Sequence, residues 1–99
     1  MRDKMKLPER SERRNRTDIC YSILNAIVQE SKSGMIVRPT RIQFLSGLSY
    51  DSMRRHLDYM KERKMIRNPN ISITEKGRAF LKDYEKIRKF TEQLGLDYL

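Results

Sequence analysis

The stretch SGLSYDSMRRHLDYM, residues 46–60, restricts the fold more than any other part of the chain. Ser49 offers a side-chain oxygen to the orphan N–H groups of a helix beginning at Tyr50, and Leu48 before it pairs with Met53 as a hydrophobic staple. Met53, Leu57 and Met60 then recur at spacings of four and three, the apolar stripe of an amphipathic helix. Placed at 100° per residue, Asp51, Ser52, Arg55, Asp58, Tyr59 and Glu62 fall on the opposite face. Tyr50 and Arg54 lie on one flank, and His56 lies on the other as a packing edge of the stripe.

The segments on either side set the architecture. Upstream, Thr17 is expected to cap a helix with Asp18 in its first turn and Ile19, Cys20, Ile23, Leu24, Ile27 and Val28 on its inner side, ending near Ser33 and Gly34. MIVRP, residues 35–39, reads as a short edge strand closed by Pro39. Thr40 then caps a two-turn helix whose inward residues are expected to be Ile42, Phe44 and Leu45, stopped by SGLS. Downstream, MIR and ISI flank NPN, which predicts a small hairpin, and Thr74 caps a last helix. The core expected from this order contains Ile23, Ile27, Phe44, Leu45, Met53, Leu57, Ile66 and Ile73.

Two helices joined by SGL, the second capped and polar outside, form a helix-turn-helix, and a hairpin directly after makes it winged. The fold class is therefore mainly α with a small β-hairpin. Three regions are expected: a flexible basic arm over 1–16, a winged helix-turn-helix over 17–74, and a C-terminal dimerisation helix and tail over 75–99.

Charge gives this architecture a direction. The chain has 99 residues and a formal net charge of +9, unevenly placed. Residues 1–17 carry seven basic and three acidic groups, and residues 38–70 carry eight and three, whereas 18–37 and 71–99 are close to balance. Two concentrated basic segments are the footprint of a polyanion-binding surface, the alternative being charge that serves solubility.

Within the central block, Arg54 and Arg55 carry the strongest expectation, because a guanidinium fork bonds guanine O6 and N7 or straddles a phosphate. Their alternative is a solvated face paired with Asp51 or Asp58. Ser49, Tyr50, Ser52 and Tyr59 add hydroxyls to the same helix, with Ser49 also occupied in capping, and Arg41 lies on the helix before it. Lys61, Arg63, Lys64 and Arg67 lead into the hairpin as phosphate contacts, with Asn68 and Asn70 at its turn. Arg10, Arg13, Arg14 and Arg16 read either as an arm following a neighbouring groove or as a charged tail.

Enzymatic readings find little material. One His, one Cys, no Gly-rich phosphate loop and no ligand-spaced cluster leave no catalytic pair or metal site within a subunit, and no cofactor is expected. Cys20 has no intramolecular partner and suits a reducing cytoplasm. The charged N-terminus lacks an apolar region of the secretory type, and no apolar run approaches the length of a membrane span.

The segments TRIQFLSGLSYDSMRRHLDYMKERKMI and ISITEKGRAFLKDYEKI resemble the small archaeal winged-helix proteins described as predicted transcriptional regulators, a group that includes ten-kilodalton chromatin-associated DNA binders. The resemblance covers roughly 17–94 and rests most on LSY...L at 48–57 and ITEKG...L at 73–81. It implies a cytoplasmic, nucleoid-associated protein that binds duplex DNA and whose long C-terminal helix pairs with that of a second subunit. Lys64 departs from the family pattern, which usually has Gly where the third helix ends, a position that tends to be left-handed.

The last helix is longer than a domain of this size needs. Phe80, Tyr84, Ile87, Thr91 and Leu94 alternate at spacings of four and three, a short coiled-coil seam broadened by Ala79, Leu81 and Phe90. A second copy is the expected partner. The alternative is that the helix folds back along the first helix of its own subunit.

Overall fold

The computed structural model describes residues 15–95, so Arg10, Arg13 and Arg14 of the arm and the last four residues lie outside the described part. Four helices and one hairpin follow in the order α1 (Arg16–Ser31), α2 (Pro39–Ser46), α3 (Tyr50–Glu62), β1 (Ile66–Arg67), β2 (Ser72–Ile73) and α4 (Glu75–Gln93).

α1 begins two residues before the sequence reading placed it. Asn15, not Thr17, is the cap, its Oδ1 accepting from the Asp18 N–H at 2.8 Å. Thr17 already lies inside the first turn. Cys20, Ile23, Leu24, Ala26 and Ile27 are buried along one side of α1, and α2, α3, α4 and β2 all pack against that helix. Ile23, Leu24 and Ile27 meet Ile42, Met53, Leu57 and Met60 in the fully buried centre. Each such side chain contributes about 1.5–3 kcal/mol relative to exposure.

MIVRP is not a strand. Residues 35–38 are irregular, and only Val37 turns inward, 8% exposed, while Met35 and Ile36 stay outside. A strand needs a partner, and the strands of the hairpin are two residues each and pair only with one another, Ile66 with Ile73 and Arg67 with Ser72. Pro39 belongs to α2 as its first residue, where its fixed φ suits a helix start and holds Arg38 extended at φ −111° and ψ 144°. Thr40 is consequently inside the helix and is not its cap.

A second correction concerns the inner side of α2. Ile42 is fully buried, but Phe44 is 73% exposed and Leu45 39%, so neither belongs to the core. Ser46, buried with its hydroxyl donating to the Ile42 carbonyl at 2.7 Å, fills the inward position one turn on. On so short a helix only the face at Ile42 and Ser46, four residues apart, reaches the interior.

Gly47 ends α2 in the left-handed region at φ 71°, its N–H donating to the Gln43 carbonyl at 3.0 Å. Ser49 caps α3, accepting from the Ser52 N–H at 3.2 Å, and Leu48 packs against the core that holds Met53. Thr74 caps α4, accepting from the Gly77 N–H at 3.1 Å, while its hydroxyl donates to the Lys64 carbonyl at 2.7 Å. One threonine thus ties the exit of α3 to the entry of α4.

Candidate nucleic-acid interface

α3 presents its outer side as the cap and staple dictate. Met53, His56, Leu57 and Met60 are buried, fixing the rotation of the helix. His56 is more deeply buried than its place beside the stripe suggested, at 8% exposed, and its Nδ1 lies 2.7 Å from the Ser52 carbonyl and donates to it. Asp51, Arg55, Asp58 and Glu62 form the outermost ridge and are exposed. Tyr50, Arg54 and Lys61 run along one edge of that ridge, Ser52 and Tyr59 along the other.

This separates the charges. The ridge has three carboxylates and one guanidinium, whereas the edge through Arg54 and Lys61 is purely cationic and leads past Arg63 and Lys64 toward the hairpin. Lys61 reaches back to Asp58 at 3.4 Å, an exposed pair of small energetic worth. Tyr50, at the open end of this edge, is 49% exposed.

The exit of α3 is built around two unusual residues. Lys64 has φ 63°, so this chain keeps with a lysine the left-handed conformation that the resembling family meets with glycine. That twist lets the Met65 N–H reach the Met60 carbonyl at 2.9 Å and sends the chain into β1. The hairpin turn leaves Arg67, Asn68 and Asn70 exposed. Gly77 lies where α4 crosses the hairpin: a Cβ there would collide with the Met65 carbonyl oxygen and stand 2.7 Å from Ile73 Cγ1.

Several expected contact residues have partners inside the chain. The Tyr59 ring has Arg63 over it at 4.0 Å and Arg16 at 4.4 Å. Tyr59 is therefore a platform that holds two cations in place, one of them at the start of α1. Arg41 donates through Nε and Nη2 to Glu30 Oε2 at 3.2 and 3.1 Å, with its guanidinium 5.5 Å from the Phe44 ring. Arg54, Arg55, Lys64 and Arg67 make no ion pair and no ring contact among the described residues.

The proposed dimer seam is divided. Tyr84 stacks on Tyr21 of α1 at 4.4 Å and lies 5.9 Å from Phe80, and its hydroxyl donates to Asp18. Burial pushes the Tyr84 hydroxyl up to about 12, and the hydrogen bond to the Asp18 carboxylate adds to the shift. Tyr21 is raised in the same direction, by burial and then by the Glu85 carboxylate that accepts from its hydroxyl at 3.2 Å. Beyond this point the helix leaves the domain: Ile87 is 65% exposed, Phe90 61% and Leu94 56%. Thr91 bonds its hydroxyl back to the Ile87 carbonyl at 2.7 Å.

Sequence reasoning missed Asn15 as a cap and the Tyr21–Tyr84 stack, which joins residues far apart in the chain. It also passed over the cations of α4, although Arg78, Lys82 and Lys86 recur at helical spacing and were readable. The Cys20 thiol is buried and raised by that burial. Among the described residues no group of three or more His, Cys, Asp or Glu side chains is placed to hold a metal ion, and no helix is long and apolar enough to cross a membrane.

A glycine-stopped helix, a capped second helix with its polar side outward, and a two-stranded hairpin define a winged helix-turn-helix. A family model described as winged helix-turn-helix matches residues 13–92, and the chain belongs to that family. No curated protein and no solved structure matches the chain significantly.

Proposed function

We propose that the protein is a homodimeric binder of duplex DNA, a transcription regulator or chromatin-associated factor working on the cytoplasmic nucleoid. The observation that carries this reading is the cationic edge of α3, Arg54 to Lys61, continuing through Arg63, Lys64 and Arg67 onto the hairpin of a winged helix-turn-helix. In this fold α3 enters the major groove from its capped end, with Tyr50 and Arg54 foremost. Lysines and arginines toward the hairpin take phosphates, which position the domain without reading sequence.

Dimerisation follows from the exposed end of α4. Ile87, Phe90 and Leu94 together leave apolar surface in water that a second copy would cover, and each buried side chain is worth about 1.5–3 kcal/mol. Two linked domains gain avidity by effective concentration and read paired half-sites.

A second reading, a winged helix used for protein association, is favoured by the acidic ridge Asp51, Asp58 and Glu62 and by the exposed Phe44. Charge reversal separates the two. Arg54→Glu with Arg55→Glu is expected to abolish duplex binding in a gel-shift titration while the circular dichroism spectrum stays native. Unchanged duplex affinity in that variant refutes the assignment of α3 as the reading helix.

A further inference from the structure

Arg78, Lys82, Lys86 and Lys89 recur along α4 at spacings of four, four and three, so they form one stripe. All four are exposed, and none makes an ion pair among the described residues. The stripe covers about 16 Å at 1.5 Å per residue, the axial length over which one DNA strand presents about five phosphates at 3.4 Å each. Glu85 and Glu92 line the same shallow cleft as the three lysines, and Glu85 already accepts a hydrogen bond from Tyr21 at 3.2 Å.

The position of the stripe is its second informative feature. α3 and α4 both turn their inner sides to α1, α3 with Met53, Leu57 and Met60, α4 with Phe80, Leu81 and Tyr84. The stripe therefore lies on the side of α4 away from Phe80, Leu81 and Tyr84, with Tyr21 of α1 at the border of its cleft. Arg78, Lys82 and Lys89 are also about a quarter of a turn or more from Ile87, Phe90 and Leu94, with Lys86 bordering Phe90, so pairing α4 with a second copy leaves most of the stripe open.

We propose that this stripe is a second phosphate-binding track, whose occupant is the backbone of another duplex segment, so that one molecule holds two stretches of DNA. The proposal rests on the DNA-binding reading of α3 for the first stretch. Charge complementarity selects the occupant: four exposed cations in a line match a strand of phosphates. An anionic membrane is the competing occupant, and the test tells it apart from duplex DNA.

The test uses the full chain and a triple variant, Lys82→Gln with Lys86→Gln and Lys89→Gln, which keeps good helix formers at exposed positions. Protein is bound to an immobilised duplex long enough to occupy both α3 helices of a dimer and is challenged with a labelled second duplex at low salt. Wild type is expected to capture it, and the variant to capture at least tenfold less while its affinity for the first duplex at limiting DNA changes less than twofold. The salt dependence of capture should fall by about 0.9 in log–log slope per cation removed. Equal capture by the variant overturns the track, and so does capture of anionic vesicles in place of duplex. Absence of first-duplex binding in wild type overturns the reading of α3 as well, and is told apart by that first titration.

Discussion

Tyr84 of α4 lies against Tyr21 of α1 with ring centroids 4.4 Å apart and planes 23° from parallel. The pair marks where the last helix stops serving its own domain. Before it, Phe80, Leu81 and Tyr84 pack on the core; after it, Ile87, Phe90 and Leu94 stand in solvent.

The hydroxyl of Tyr84 makes this junction sensitive to alkali. Its pKa stands near 12 in the fold, above the ordinary 10, because burial and the Asp18 carboxylate favour the neutral phenol. A raised pKa means that the stabilisation is complete below pH 10 and is lost as the pH rises through 12. Urea midpoints measured at pH 9 and pH 11.5 are expected to fall more steeply for wild type than for Tyr84→Phe, which keeps the ring stack but lacks the proton. Parallel losses in the two proteins would show that the Tyr84 contact contributes nothing to the alkaline transition.

In the proposed dimer the exposed seam sets the oligomeric state. Ile87→Asp combined with Leu94→Asp is expected to give a folded monomer, because both positions lie beyond the part of α4 that the domain buries. Sedimentation equilibrium checks this, with wild type at twice the mass of the variant. A monomeric wild type at micromolar concentration contradicts the dimer.

Gly77 is expected to tolerate no side chain. Ala in its place must displace the Met65 carbonyl or the Ile73 side chain, both parts of the hairpin, and overpacking of this kind costs about 1–3 kcal/mol. Chemical denaturation of Gly77→Ala measures the loss, and a change below 0.5 kcal/mol, on the order of a neutral surface substitution, would contradict the close approach.

Lys64 offers the opposite case. A side chain at φ 63° carries left-handed strain of about 1–2 kcal/mol, offset in part by the entropy that glycine adds to the unfolded chain. Lys64→Gly is therefore expected to raise stability by about 0.5 kcal/mol while weakening duplex binding through loss of one cation. A variant that is stabilised and binds with unchanged salt dependence would remove Lys64 from the interface.

The cap and staple of α3 and the cap of α4 survived the passage from sequence to structure, the caps read at Thr17 and Thr40 each fell two residues late, and signals that depend on a distant partner did not survive. Ser49, Leu48 and Met53 fixed α3 because a cap and a staple are settled within five residues. Thr74 was legible for the same reason. The β-branched run at 35–37 carried strand propensity but no strand for it to pair with, and the short α2 left Phe44 and Leu45 on the side that Ile42 does not face. The heptad spacing of α4 was real, yet a repeat of this kind does not say which helix it packs on. α1 takes Phe80 and Tyr84, and a spacing argument had no means to see Tyr21 waiting there. On the candidate interface, the places of Arg54 and Arg55 on α3 followed from rotation about the helix axis, while the occupation of Tyr59 by Arg16 and Arg63 required the fold.

The most direct measurement is the equilibrium affinity for duplex DNA as a function of salt. Cations at Arg54, Arg55, Lys61, Arg63, Lys64 and Arg67 that all meet phosphates give a slope of log K against log salt of about −5 per domain, at about 0.9 for each phosphate neutralised. A steep slope that flattens in Arg54→Glu with Arg55→Glu is the expected result. No binding to duplex DNA at low salt, or binding whose salt dependence ignores those two residues, contradicts it.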